Sequence, residues 1–188
     1  MIPQFNTGDE VTQVIAVDLD GDGLDEIVAS SMSFNVYVIK GDGKTILWRT
    51  DLGEVVTGIA VGDFNGDGKL EVAAGVADGF VHLLSYADGK VLSRYRTDGP
   101  IVTLIAADVD GDGADEIVFG HSDTPQVHGV QVYDAVDATG AKWQKHLVDA
   151  GGMATEDLIA ADVTGDGRVD IIAGGRATHN VKLYINSD

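Results

Sequence analysis

Asp18, Asp20, Asp22 and Glu26 occupy positions 1, 3, 5 and 9 of the stretch DLDGDGLDE. The arrangement returns as Asp63, Asn65, Asp67 and Glu71, as Asp108, Asp110, Asp112 and Glu116, and as Asp162, Thr164, Asp166 and Asp170. Position 6 is glycine each time (Gly23, Gly68, Gly113, Gly167), which allows a sharp turn. In so tight a loop the oxygens of positions 1, 3 and 5 point inward. The main-chain carbonyl of position 7 (Leu24, Lys69, Ala114, Arg168) and the acid at position 9 can join them. About six hard oxygen donors at this spacing suit Ca²⁺. Mg²⁺ demands a smaller octahedral shell with more water and ranks second. The loop is not an EF-hand. That motif needs glutamate at position 12, where this chain has Ala29, Ala74, Phe119 and Ala173.

Asp-Gly pairs are also good turn formers in their own right. That alone does not explain an acid kept at position 9 in four copies. Several unpaired carboxylates in one loop repel each other, and a divalent cation removes the repulsion. The expectation is therefore one Ca²⁺ per repeat, up to four. The fourth loop is the weakest, because Thr164 stands where a carboxylate or amide stands elsewhere.

The elements around the loops share one pattern. Loop starts lie 45, 45 and 54 residues apart, the range of propeller blades. A short apolar run precedes each loop (QVIAV, GIAVG, LIAA, LIAA) and another follows it (IVAS, VAAG, IVFG, IIAG). Near-continuous apolar runs of this length read as strands buried on both faces. A third, alternating run follows (NVYVIK, FVHLLSY, GVQVYD, NVKLYIN). After a turn comes a fourth run in the first three units (TILWRTD, VLSRYRTD, KWQKHLVD). The fold class is all-β: a propeller of four-stranded antiparallel blades in a single domain, residues 1–188. The fourth unit lacks its outer strand, and residues 3–7 (PQFNT) are expected to supply it and close a four-bladed ring. Pro3 is tolerated on an edge strand. The alternative is half of an eight-bladed propeller formed by a homodimer. Small residues just before each loop (Ala16, Gly62, Ala106, Ala107, Ala160, Ala161) suit a crowded axis and favour four.

Composition excludes several classes of function. With 31 acidic against 12 basic residues the formal charge is −19, which repels phosphate backbones, so no nucleic-acid partner is expected. There is no cysteine for a disulfide or thiolate metal site. The first ten residues do not read as a signal peptide. No apolar run approaches the ~18 residues that cross a bilayer, so no membrane insertion is expected.

The loops and flanking strands resemble the FG-GAP/VCBS-type repeats, the calcium-binding blades of integrin α-subunit propellers and of many bacterial extracellular proteins. The resemblance covers essentially the whole chain. It implies that each loop joins the first two strands of a blade and binds Ca²⁺ through positions 1, 3, 5, 7 and 9. It also implies an extracellular, cell-surface or periplasmic setting and a structural or interaction role as monomer or homodimer.

No catalytic signature is present: G-x-S-x-G and H-E-x-x-H are absent, and nearly all of the paired carboxylates that could suggest a glycosidase are used by the loops. The chain reads as non-enzymatic. One group supports a different reading. His121, Asp123 and His128 of the third repeat and Arg176 and His179 of the fourth lie on loops expected on the face opposite the acidic loops. Such a group could bind a carbohydrate, or abstract a proton as in a polysaccharide lyase.

Overall fold

The computed structural model describes residues 4–122, 128–137 and 139–187. It is all-β, with four antiparallel blades in a four-bladed propeller arrangement and no helix among the described residues. Blade 1 contains β1 (Val11–Val17), β2 (Glu26–Ser31), β3 (Asn35–Ile39) and β4 (Ile46–Asp51). Blade 2 contains β5 (Val56–Gly62), β6 (Glu71–Val76), β7 (Phe80–Ser85) and β8 (Val91–Arg96). Blade 3 contains β9 (Thr103–Ala107), β10 (Glu116–His121), β11 (Gly129–Ala135) and β12 (Trp143–Ala150). Blade 4 contains β13 (Thr155–Ala161), β14 (Asp170–Gly175) and β15 (Asn180–Tyr184).

Each sheet is a meander, its strands hydrogen-bonded in chain order. The register repeats as closely as the sequence. Val14 pairs with Ala29 as Ile59 pairs with Ala74, and Val118 with Val132 as Ile172 with Leu183. The apolar second strands lie deepest, with every residue of β6 and β10 buried. The outer strands β4, β8 and β12 stay largely exposed, and their aromatics turn inward. Trp48 donates its Nε1–H to the Tyr86 carbonyl at 2.7 Å, and Tyr95 packs edge-on against Tyr133 at 4.6 Å. These rings are packing groups.

Blades meet face to face. A forward face looks to the next blade and a rear face to the previous one. One apolar cluster joins blades 1 and 2 around Val28, Val38, Ile59 and Val72, and a second joins blades 2 and 3 around Ala60, Leu83, Leu104 and Phe119. A third joins blades 3 and 4 around Val118, Val132, Leu158 and Ala173. Among the described residues no such cluster joins blade 4 to blade 1.

The blades approach closely where a glycine removes the side chain. A Cβ on Gly120 would lie 2.3 Å from the Thr155 Cβ of the next blade, which no packing tolerates. Gly120→Val should therefore destabilise the chain by at least the ~1–3 kcal/mol of ordinary overpacking. Thermal denaturation in millimolar calcium checks this, and an unchanged melting temperature would contradict the packing described.

The N-terminal segment departs from expectation. The last sheet has three strands, and the described part of residues 3–7 does not pair with β15 (Pro3 lies outside the described residues). Instead the Phe5 ring packs on Tyr37 at 5.3 Å. The Thr7 carbonyl accepts from the Tyr37 hydroxyl at 2.9 Å and from the Ser33 hydroxyl at 3.1 Å. These contacts hold residues 5–7 on the rear face of blade 1, so they do not complete blade 4 within the same chain.

Candidate metal centre

The four acidic loops each join the first and second strands of a blade, so the topology places them at one end of the propeller. Glycines at loop positions 4 and 6 make the winding possible. All eight have positive φ, from +69° at Gly66 to +96° at Gly113, where other residues are strained.

The first aspartate organises each loop by accepting backbone amides. Asp18 Oδ1 accepts from Gly21 N at 2.8 Å and Asp22 N at 3.0 Å, and Oδ2 accepts from Gly23 N at 2.8 Å. Asp162 does the same with Gly165, Asp166 and Gly167 at 2.7, 3.2 and 2.9 Å. These bonds hold the Asp162 carboxyl below its ordinary pKa, the Gly167 amide contributing most. Asp63 and Asp108 repeat the pattern.

The position-9 acid begins the second strand and is buried. Glu26, Glu71 and Glu116 are 2%, 4% and 2% exposed, and Asp170 is 0%. Each reaches back to an amide at loop position 2: Leu19, Phe64, Val109 and Val163 at 3.2, 3.2, 2.6 and 3.1 Å. Burial first, then neighbouring loop aspartates, pushes Glu71 and Glu116 up to about 7, and Glu26 is raised by the same causes.

The four loops are not equal. Asp18, Asp20 and Asp22 each offer an oxygen, all within 4.8 Å of one another, and Asp108, Asp110 and Glu116 do likewise. Donors ~2.3–2.6 Å from one Ca²⁺ have this spread. In the second loop Asn65 turns its Nδ2 to Glu71 at 3.1 Å, and Lys69 stands 3.7 Å from Asp67. In the fourth loop the Arg168 guanidinium pairs with Asp166 at 2.6 Å, and the Thr164 hydroxyl reaches only Asp162, at 3.5 Å. Asp170 Oδ1 accepts from Asn186 N at 2.8 Å, so its buried carboxylate is satisfied on both oxygens. Basic side chains thus already answer part of the charge in the second and fourth loops. Their residues, Lys69 and Arg168, are at position 7, where Leu24 and Ala114 stand in the other two.

Two residues beside the loops escaped the sequence reading. Asp115 ties the third loop to the second. Its Oδ2 accepts from Asp63 N at 3.0 Å, and its own amide donates to the Asp63 carbonyl at 2.9 Å. Its signal was the acidic pair Asp115–Glu116, seen also as Asp25–Glu26. Asp134, on β11, lines a concavity with Asp110, Glu116, His146 and Asn186 and is raised by burial and by Asp110 and Asp112. No sequence signal marks it, because only strand register brings it there.

The histidine and arginine group is divided. His121 lies in β10, fully buried, its Nδ1 2.7 Å from the Pro100 carbonyl, and burial holds its pKa below the ordinary value. His128 is half-buried, with Nε2 2.6 Å from the Ser122 carbonyl. Arg176 and His179 share an open concavity on blade 4, where Arg176 stands 3.5 Å from Glu156. Asp123 lies outside the described residues.

Comparison with known proteins places this geometry. In three solved structures the likeness is one of fold. BBS1N in complex with ARL6DN is 16% identical, with TM-score 0.65 over 96% of this chain and 53% of that one. Sqt1 of Saccharomyces cerevisiae is 14% identical, with TM-score 0.66 over 95% of this chain and 46% of that one. The computationally designed Ika4 protein is 15% identical, with TM-score 0.69 over 98% of this chain and 96% of that one. The chain thus spans about half the length of the first two. No curated protein matches it by sequence. The model of the FG-GAP-like repeat matches residues 18–74 and 108–173, well over half of the chain and including all four acidic loops. The chain belongs to the FG-GAP-like repeat family.

Proposed function

We propose that the chain is a calcium-binding propeller module that works by presenting a surface to another macromolecule outside the cell. The observation that carries this reading is the convergence of donors in the first and third loops, where three acids bring oxygens within 4.8 Å of one another. In the first loop Asp18, Asp20 and Asp22 would hold the ion, with the Leu24 carbonyl and Glu26 completing the shell. In the third, Asp108, Asp110, Asp112, Glu116 and the Ala114 carbonyl would do so. The second and fourth loops would bind more weakly, through Asp63, Asn65, Asp67, the Lys69 carbonyl and Glu71, and through Asp162, Thr164, Asp166, the Arg168 carbonyl and Asp170. The bound ion would neutralise each loop and fix the end of its two strands. Millimolar calcium, and so full occupancy, belongs to the extracellular setting that the repeat family implies. A protein partner suits a propeller module, and BBS1N, similar in fold, is in complex with ARL6DN. The net charge of −19 selects a partner with a basic surface. The carbohydrate reading loses support, because His121 is buried and, among the described residues of the group, only Arg176 and His179 share a concavity.

Substitution at equivalent positions tests the calcium assignment. Asp112→Ala should remove one of the first sites to fill when metal-free protein is titrated. Asp166→Ala, at a position already paired with Arg168, should leave those first sites intact. Equal loss in both variants, or in neither, would contradict the ranking.

A further inference from the structure

Blade 4 carries a forward face that none of the described residues covers. Its residues are the register equivalents of those that blade 3 buries against blade 4. Ile159, Val163 and Ile172 correspond to Ile105, Val109 and Val118, while Val181 and Leu183 correspond to Val130 and Val132. Val130 and Val132 are 0% and 5% exposed, whereas Val181 and Leu183 are 75% and 47%. The close-approach glycine is present too. Gly75 and Gly120 face the next blade so tightly that a Cβ would collide, but around their equivalent Gly174 nothing lies within 4 Å.

The complementary face, at the other end of the chain, is open over its inner strand, residues 5–7 covering only its outer part around Tyr37. Val56 and Ile59, on the rear face of blade 2, are 0% exposed against blade 1. Their equivalents on blade 1, Val11 and Val14, are 50% and 57% exposed. Among the described residues, blade 4 thus has an open forward face and blade 1 an open inner part of its rear face, the two surfaces that fit each other at three junctions within the chain. We propose that two copies of the chain close head to tail into a ring of eight blades, the forward face of blade 4 in each copy seating on the rear face of blade 1 in the other.

A contact of this kind closes after two copies only if four blades span half a turn. The arc of four blades is open, since among the described residues no apolar cluster joins blade 4 to blade 1. The N-terminal segment also finds its place. Phe5 packs on Tyr37 at the rear of blade 1, as Tyr95, at the end of an outer strand, packs on Tyr133 of the next blade. In the ring this segment stands beside β15 of the other copy, the open edge of the three-stranded sheet. Covering that edge and the two apolar faces removes a surface otherwise prone to aggregate.

Two experiments test this. In millimolar calcium, sedimentation should give the wild type a mass twice the 19.7 kDa of the chain. Val181→Asp with Leu183→Asp should reduce it to the single-chain mass, and so should Val14→Asp, with strand content by circular dichroism unchanged. A single-chain mass for the wild type would overturn the proposal. So would a dimer that survives Val14→Asp, since two blade-4 faces would then be packing on each other. The second experiment does not depend on how the aspartate variants fold. Gly62 and Ala106 adjoin across blades 2 and 3, where a Cβ on the glycine would lie 2.9 Å from that of the alanine. The equivalents at the closure are Ala161 and Ala16. In a chain without other cysteines, Ala16→Cys with Ala161→Cys should form a disulfide-linked dimer on non-reducing electrophoresis. A cross-link within one chain would show a ring closing on itself at four blades and overturn the proposal. A ladder of longer species, or no cross-link, would do so as well.

Discussion

Chelating calcium should lower the melting temperature of the chain by tens of degrees. An ion that binds only the folded state stabilises it by about 2.7 kcal/mol when present at a hundredfold over its Kd. Two such sites supply ~5 kcal/mol and four ~11, set against the ~5–15 kcal/mol of a whole domain. For a chain of this size 1 kcal/mol moves the midpoint by roughly 2–4 °C. Two sites then account for about 10–20 °C, and four for about twice that. The pH dependence should change sign with the metal. Without calcium, Glu71 and Glu116 titrate at about 7 in the folded state, above their unfolded value of 4.5. At these two acids the folded state holds more protons than the unfolded one, so their contribution to stability falls as pH rises from about 4.5 through 7, against the smaller opposite contribution of the buried His82 and His121. With calcium bound the same acids are held ionised, and stability falls as pH drops. Thermal scans at pH 5 and 8, with calcium and with chelator, should show opposite slopes. A midpoint indifferent to chelator in verified metal-free protein would reduce the loops to ordinary turns.

Glu116 is where metal and fold depend on one side chain. It is 2% exposed and accepts the Val109 and Asp110 amides at 2.6 and 3.3 Å. Glu116→Ala leaves those amides without their acceptor, which costs about 1–3 kcal/mol. It also removes a calcium donor, for a combined loss of about 4–6 kcal/mol in millimolar calcium. Glu116→Gln keeps an acceptor of the same shape but not the charge. It should be destabilised in calcium by up to the ~2.7 kcal/mol of one site. In chelator at pH 8 it should match the wild type or exceed it, because the buried charge near Asp110 is gone. A glutamine variant that loses the same stability with and without calcium would show Glu116 to be only a structural acceptor.

Much of this architecture can be read from residue patterns because it is local. The 45-residue period sets the blades, and near-continuous apolar runs such as Val72–Gly75 and Ile117–Gly120 mark the buried second strands. What could not be read depends on how distant segments pack. Residues 3–7 have the right length and position for an outer strand. The placement of residues 5–7 is decided by Tyr37, whose ring and hydroxyl hold Phe5 and Thr7 on blade 1. Whether four blades close a ring depends on the rotation from each blade to the next, and no single residue encodes that. Small residues beside the loops allow close approach at the axis without fixing their number. His121 illustrates the same limit at one position. It follows an apolar run as a loop residue would, yet β10 continues through it and the Pro100 carbonyl receives it. The loop ranking was partly legible, since Thr164 weakens the fourth site by its type. The effect of Lys69 and Arg168 is not, because the loop pattern constrains only the main-chain carbonyl at position 7 and leaves its side chain open.

Titration calorimetry of metal-free protein with calcium chloride tests the central claim most directly. The account predicts saturable binding with two sites filling first, in the loops beginning at Asp18 and Asp108, and up to four ions per chain at millimolar calcium. Absence of binding at millimolar calcium by folded, metal-free protein would contradict it.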